Sequence, residues 1–533
     1  MELYSLKFVL FLLLALIMYY SVFRKKQWIC LLIANMVFYA WSGLENLLFI
    51  FITALTTFCG GVLLARLEDK YQLVKRNQAI DKAERKEYKK KIDKKKRIVL
   101  FSFLALNFGI LAYLKYWNTI LDNISILLGE QNNVLSSLHT ADLILPLGIS
   151  FYIFMATGYL IDIYGGKYEH EKNFFQFLLF ISFFPQIIQG PINRFDKMAQ
   201  QFKEQHKLDY DNIREALFKI MFGAMKKYAI ANLLVGSVAL ILDNPTEDMP
   251  GSVIVFGIIL YSVQMYADFS GGMDMVFGIG QLFGIRMMQN FRQPYFATSL
   301  AEFWRRWHIS LGAWMRDYIF YPLTLTKTMQ KFGKRIGKKL GKKMGVVIPV
   351  CFANIIVFLV VGLWHGAQWH YIFWGLYNGI IVSLGDLFSP IFAKCICHFK
   401  ININSWAFKI FQMLRTFIIV CIGRYFDRIE DISDCLLCFR NTITNFKIEE
   451  FSGTVTELFA SINTKAYYVA LFALVIVFIN SVLEEKEINV FKKIISSPII
   501  LRWGIYYCII FLILLSFTFT FAANAGGFLY ANY

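Results

Sequence analysis

Two histidines stand where an imidazole is hard to accommodate. His365 closes Gly362-Leu363-Trp364-His365-Gly366, at the end of the apolar run Ile348 to Leu363, which is interrupted by Cys351 and Asn354. His308 lies upstream, in Phe303-Trp304-Arg305-Arg306-Trp307-His308-Ile309-Ser310, across a basic loop. An ionisable ring at the end of a membrane-length apolar run needs a partner or a watered cavity, so such groups are functional candidates by default. A neutral imidazole near pH 7 can take a proton from an alcohol, which is what attack of a hydroxyl on an activated acyl group requires. The plain alternative is two unrelated helix-end histidines satisfied by backbone carbonyls.

The neighbouring residues narrow the chemistry. His370 begins the next apolar run and reads as interfacial. Ser310, two positions after His308, falls on a different side of a helix and cannot pair with it as a nucleophile. No HExxH or similar pattern surrounds the histidines, and Cys435-Leu-Leu-Cys438 is a lone CxxC, so the expectation is no metal. Asp268, Arg316 and Asp317 are candidate helpers, since a buried carboxylate beside either histidine would fix its tautomer and support a transient imidazolium. Ion pairing among Arg305, Arg306, Arg316 and Asp317 is their plainer role. Trp304, Trp307 and Trp314 read as interfacial anchors.

The elements that must position these groups are membrane helices. Of 533 residues, 57% are hydrophobic, 17% aromatic and 17% charged, too apolar a balance for an ordinary soluble domain. Several apolar segments of roughly 17 to 25 residues, without alternating barrel strands, give an all-α integral membrane protein. The first segment is followed by Arg24-Lys25-Lys26 and further spans, and reads as a retained helix rather than a cleaved signal.

The net charge of +18 is concentrated between Arg66 and Arg97 and between Lys327 and Lys343, whereas Asn118 to Asp142 and Asp243 to Gly251 hold no Lys or Arg. That distribution is a topology signal and argues against nucleic acid. Spans are expected near 8–23, 27–43, 46–65, 98–117, 143–163, 214–241, 251–268, 347–364, 370–388, 409–423, 466–483 and 499–522. About twelve crossings put the basic loops in the cytoplasm and both termini outside. The lysine-rich loop 66–97, with interleaved acids, reads as a solvated cytoplasmic helix or hairpin.

Residues 173–190, interrupted by Pro185 and Gly190-Pro191, read as a re-entrant or interfacial segment. Residues 269–346 read as short interfacial helices and a basic loop, and 386–533 as peripheral membrane helices around a core at 30–385. Within the basic loop Lys327, Lys331 and Arg335 recur every four residues, with Lys338 close behind, so they share a helix face. That face is either a positive-inside anchor on lipid phosphate or a dock for an acidic carrier protein.

A family resemblance rests on Leu145-Pro-Leu-Gly-Ile-Ser-Phe-Tyr152, Gly158-Tyr-Leu-Ile-Asp162, Gly190-Pro-Ile-Asn-Arg-Phe195 and Ala267-Asp-Phe-Ser-Gly-Gly-Met-Asp274. It continues through Phe303-Trp-Arg-Arg-Trp-His-Ile-Ser-Leu311, Trp314-Met-Arg-Asp-Tyr318 and Gly362-Leu-Trp-His-Gly366. In this order the motifs resemble the membrane-bound O-acyltransferases, in their bacterial polysaccharide-modifying branch. Two stretches depart from it: the lysine-rich run after Tyr321-Pro322-Leu323, where a short Gly-Gly turn is usual, and Arg424-Tyr-Phe-Asp427.

The resemblance implies a funnel-like helical fold in a single polytopic domain of a bacterial plasma membrane. It implies transfer of a small acyl group, acetyl first, from a cytoplasmic thioester to a hydroxyl of a surface polysaccharide, with D-alanyl transfer onto teichoic acid as the alternative. His365 and His308 would be the catalytic pair, with Trp364, Trp304, Trp307, Asp268, Arg316 and Asp317 around them. The donor would be acetyl-CoA or a phosphopantetheine-linked acyl-carrier protein, with no tightly bound cofactor. An extracytoplasmic SGNH-type acyltransferase would complete transfer. From another class, a proton-coupled transporter or flippase would also use buried histidines. The sequence lacks the paired broken helices in matching halves that such a protein needs.

Overall fold

The computed structural model describes residues 5–128 and 145–520, and among these every regular element is helical. Among the described residues, nine helices are long and apolar enough to cross a membrane: Leu44–Arg76, Lys82–Ser125, Tyr210–Leu242, Gly251–Leu282, Lys342–His365, Trp369–His398, Trp406–Arg428, Lys465–Glu485 and Ile499–Phe519. Three shorter apolar helices, Leu6–Tyr20, Gln27–Ser42 and Ile149–Tyr164, occupy the first, second and fifth expected spans. With 15 or 16 residues each, they cover roughly 24 Å at about 1.5 Å per residue, short of a hydrocarbon core of about 30 Å. The placement of both chain ends concerns residues 1–4 and 521–533, and most of the bare loop expected to face outward is residues 129–142. These lie outside the described residues.

The chain forms two compact units. The first takes the residues up to Arg214 together with Ile279–Met288, and the second takes Glu215–Gly278 and the residues from Gln289 on. In the first, the lysine-rich segment is a helical hairpin, because Leu44–Arg76 runs past Arg66 and Lys82–Leu128 begins well before residue 98. Arg85 closes its turn by donating to the Asn77 carbonyl (2.8 Å), and Lys96 pairs with Glu68 across it at 2.9 Å. Residues 173–190 break into Phe174–Ser182 and Phe184–Gln189, with Pro185 in the first turn of the second helix. Protein covers this irregular backbone: Phe177 to Ile187 are all buried, and Asn35 grips the break by donating to Ser182 Oγ (3.1 Å) and accepting from the Phe184 N–H (3.1 Å).

The second unit carries the histidines. The span expected to stop at residue 268 continues as one helix, Gly251–Leu282. Gly271 resembles a breaker in the sequence but serves close packing. A Cβ there would stand 2.7 Å from the Gly223 carbonyl oxygen, so the two backbones are nearly in contact. Two helices beyond residue 386 share a buried cluster with the segment around residues 225–234. Val469, Ala473, Val477, Ile509 and Leu512 share a buried apolar cluster with Met225, Ala229 and Leu234. After Leu282 the chain does break into short pieces, Leu300–Arg306, Ile309–Met315, a π-helical turn Arg316–Phe320 and the amphipathic helix Lys327–Leu340.

Candidate active site

His365 is placed by a helical hairpin. Helix Lys342–His365 ends where Gly366 turns extended, and the next helix, Trp369–His398, folds back along it. Gly362 and Gly375 face each other in the crossing, where a Cβ on Gly362 would lie 3.4 Å from the Gly375 Cα and collide with the Tyr371 carbonyl. This approach brings two aromatic rings of the returning helix onto the imidazole. Tyr371 stacks on it at 5.7 Å, and Trp374 meets it edge-on at 5.2 Å. His370 is turned elsewhere, its Nδ1 at 2.9 Å from the Phe426 carbonyl, consistent with a structural part.

His308 is placed by a clamped turn. Ser299 caps helix Leu300–Arg306 by accepting from the Glu302 N–H, and the Glu302 carboxylate returns to the Thr298 N–H (2.9 Å) and hydroxyl (2.7 Å). Burial would raise the Glu302 pKa, but the Thr298 and Arg306 donors outweigh it and hold the carboxyl below its ordinary value. Arg306 bridges Glu302 (2.7 Å) to Glu485, which it grips with two bonds of 2.7 and 3.0 Å. Trp307 is then extended and pairs antiparallel with Phe291, and His308 takes a left-handed conformation (φ 47°, ψ 53°) before helix Ile309–Met315. Histidine enters that region more readily than most residues with a Cβ.

The same turn buries the ring. His308 is 3% exposed, and desolvation lowers its pKa from 6.5 to about 3, so it is neutral across the physiological range. Its Nδ1 lies 3.2 Å from Asn290 Oδ1, and the Phe269 ring meets it edge-on at 5.0 Å.

The tryptophans join the two histidines. Trp364 stands 6.0 Å from the His308 ring and 4.8 Å from the His365 ring. Trp304 donates from Nε1 to Asn378 Oδ1 (3.2 Å) and packs edge-on against Trp374 at 5.3 Å, the ring that touches His365. Trp307 is 2% exposed, stacked on Phe303 at 5.5 Å, with the Arg424 guanidinium over its ring at 4.9 Å. These tryptophans are therefore internal parts of one aromatic cage, not interfacial anchors. The cage keeps both imidazoles away from bulk water, the setting in which a proton acceptor and an acyl donor can be held without hydrolysis.

Other expected residues fall elsewhere. Asp268 is ion-paired with Lys227, and beside it Lys226 pairs with Asp274 at 2.7 Å and lies over the Phe222 and Tyr266 rings. Arg316 and Asp317 hold each other at 3.0 Å on a partly exposed turn, and Arg306 is paired with glutamates rather than with Asp317. Lys327, Lys331, Arg335 and Lys338 line the exposed side of helix Lys327–Leu340, while Met329 and Gly333 on its other side are buried. Among the described residues, no group of three or more His, Cys, Asp or Glu could hold a metal ion.

Sequence reasoning missed the lysines Lys226 and Lys227, though two cations inside the apolar run 214–241 are a legible signal. It also missed Asn290 and the buried Arg424–Asp427 pair (2.5 Å), which give no local signal of their partners.

Residues 168–423 match the membrane-bound O-acyltransferase family model. That stretch is a membrane-bound O-acyltransferase (MBOAT) domain. It holds both histidines and the aromatic cage, and it runs past residue 385 into helix Trp406–Arg428. The chain is similar to the probable alginate O-acetylase AlgI of Pseudomonas syringae pv. tomato, 34% identical over 61% of this chain and 56% of that protein. It is 30% identical to the peptidoglycan O-acetyltransferase of Helicobacter pylori over 65% of each chain. To the teichoic acid D-alanyltransferase of Bacillus subtilis it is 29% identical, over 53% of this chain and 69% of that protein. The chain thus spans under two thirds of the length of the two O-acetyl-transferring relatives. An MBOAT domain together with nine helices of membrane length makes this a multi-pass membrane protein.

Proposed function

We propose that this protein is an O-acyltransferase of a bacterial plasma membrane. It moves a small acyl group, acetyl first, from a cytoplasmic thioester to a hydroxyl of a cell-surface or extracellular polysaccharide. The observation that carries this reading is the cage within the MBOAT domain, where His308 and His365 are buried around the shared Trp364 ring. The O-acetylating names of the relatives support the acyl group and the kind of acceptor.

A thioester is already activated, so the protein has to bring donor and acceptor together, exclude water and remove one proton. His365 acts as general base on the acceptor hydroxyl. As the hydroxyl oxygen forms the new C–O bond, its proton passes to the imidazole, the C–S bond breaks, and the departing thiolate takes a proton. His308 helps place the donor thioester from the cytoplasmic side. The donor is acetyl-CoA or an acyl-carrier protein, and the exposed cations Lys327, Lys331, Arg335 and Lys338 are the docking face for the carrier if that is the source. An SGNH-type protein outside the membrane completes delivery to the polymer.

D-alanyl transfer onto teichoic acid is the second reading. It is favoured by the D-alanyltransferase relative and by the absence of any acid between Thr324 and Met344, a face suited to an acidic carrier.

One experiment tests both. Polymer acylation is followed in cells carrying wild-type protein or His365→Ala, with the membrane level of each checked and the bound acid released by mild base for mass identification. Loss of acylation with the protein still in the membrane is expected, and the released acid, acetate or D-alanine, names the branch. Unchanged acylation would make His365 a structural residue and end the proposal.

A further inference from the structure

The hydrogen-bond pattern around Asn290 fixes a property of His308. Asn290 is fully buried (0% exposed), and its Oδ1 lies within hydrogen-bond distance of three nitrogen or oxygen atoms. These are the Ser310 backbone N–H at 3.0 Å, the Ser310 hydroxyl at 2.9 Å and His308 Nδ1 at 3.2 Å. A backbone N–H can only donate, so the atom facing it must be the amide oxygen; the reversed amide would place two donors against each other. The Nδ2 side is accounted for separately, by Met273 Sδ at 3.4 Å.

With the amide orientation fixed, the imidazole follows. An amide oxygen accepts and never donates, so the His308 nitrogen facing it must carry the hydrogen. We propose that Asn290 is a positioning residue that holds His308 as the Nδ1–H tautomer, leaving Nε2 as the basic nitrogen, with Ser310 as a clip on the same oxygen rather than a nucleophile. This deepens the acyl-transfer reading and rests on it for the catalytic consequence, though the tautomer stands independently of it.

The main chain supports the same assignment. Asn290 also accepts the Ile309 N–H on its carbonyl (3.0 Å), while Arg292 N–H donates to the Arg306 carbonyl (3.0 Å). Backbone and side chain of Asn290 therefore hold the left-handed turn at His308 and the two residues after it, while Arg292 holds the residue two before it. The neutral state of the buried ring agrees with a neutral partner. A carboxylate in the place of Asn290 would draw a second proton onto the imidazole and remove its basicity. An amide sets direction without adding charge.

The test is direct observation of the ring. Full-length protein labelled with 15N-histidine is reconstituted in lipid, and the His308 signals are identified by their loss in His308→Gln. A protonated-type Nδ1 and a bare-type Nε2 are expected in the wild type. A resting Nε2–H tautomer would overturn the proposal whatever the enzyme catalyses.

Three variants give the functional side. Asn290→Leu is expected to release the tautomer and lower kcat by roughly 10²- to 10⁴-fold with KM for the donor much less affected, in line with the loss seen when a catalytic imidazole is held in the wrong tautomer. Asn290→Asp keeps the shape and is expected to retain activity at high pH, with the acid limb of its profile moved to higher pH than in wild type. Ser310→Ala is expected to keep the Nδ1–H signal and lose less than about tenfold in rate, since one of three donors is removed. Membrane level and a single symmetric elution peak are required of each variant. If Asn290→Leu fails them, Asn290→Asp and the wild-type spectrum still decide. An Asn290→Asp profile identical to wild type, or abolition of activity by Ser310→Ala, would count against the assignment. If His365→Ala and His308→Gln both leave transfer intact while the tautomer is as expected, the acyl-transfer reading fails and the hydrogen-bond assignment survives.

Discussion

At the scale of single residues, burial keeps the His308 imidazole neutral. For His308 the consequence for stability has a definite sign. Its folded pKa is pushed down to about 3 by burial, while the unfolded chain takes up the proton near 6.5. Between those values the unfolded state binds more protons, so stability rises with pH across the window and is lost as the pH falls below about 6.5. Above that the residue contributes no pH dependence. Comparing wild type with His308→Gln in detergent, thermal stability from pH 7 to pH 4.5 is expected to fall more steeply for wild type, by up to about 1.4 kcal/mol for each pH unit inside the window. Parallel curves would mean that the ring titrates normally. The two histidines were legible in the sequence because an ionisable group in apolar surroundings stands out. Asn290 was not, because an asparagine before a Phe-Arg-Gln-Pro run looks like a turn former, and its partners lie 18 and 20 residues away.

At the scale of elements, glycines do most of the placing. Gly362 and Gly375 let one hairpin close onto His365, and Gly271 lets helix Gly251–Leu282 lie against the segment containing Gly223. Gly271→Val is expected to destabilise the protein by about 1–3 kcal/mol, the usual penalty for overpacking, because its Cβ would stand 2.7 Å from the Gly223 carbonyl and 2.9 Å from Lys226 Cβ. A Tm equal to wild type in detergent would show that the two helices separate more easily than this packing implies. Among the described residues, the nine helices of membrane length and the three shorter apolar ones lie where hydropathy and charge place apolar segments. Their ends were not legible. The helices of the lysine-rich hairpin run beyond the apolar stretch because charged residues are good helix formers in water, and hydropathy detects the bilayer rather than the helix. The expected span stops short of residues 269–282 for the opposite reason. Glycine and aspartate lower the apolar signal, and only the facing Lys226, Lys227 and Gly223 reveal why they are tolerated in a continuous helix.

At the scale of the whole molecule, residues late in the chain complete the His308 turn. Glu485, at the end of helix Lys465–Glu485, holds Arg306 with two hydrogen bonds, and Arg424 covers the Trp307 ring. Glu485→Ala is expected to lower stability by about 1–2 kcal/mol, a figure reduced because Glu485 is partly exposed, and to cut acyl transfer several-fold with the protein still in the membrane. Activity equal to wild type would mean that Glu302 alone suffices to hold Arg306. No sequence rule pairs Arg306 with a residue 179 positions away, and composition alone suggested that the last helices were a surround.

That separation sets an order of events during synthesis. At about 5–20 residues per second, on the order of ten to forty seconds pass between the ribosome adding Arg306 and adding Glu485. During that interval the histidine segment has been made but lacks its clasp, so a nascent or prematurely terminated chain in the membrane would hold the reactive ring without its final geometry. A chain that ends before Glu485 is therefore expected to hold the His308 turn less firmly than the full-length protein.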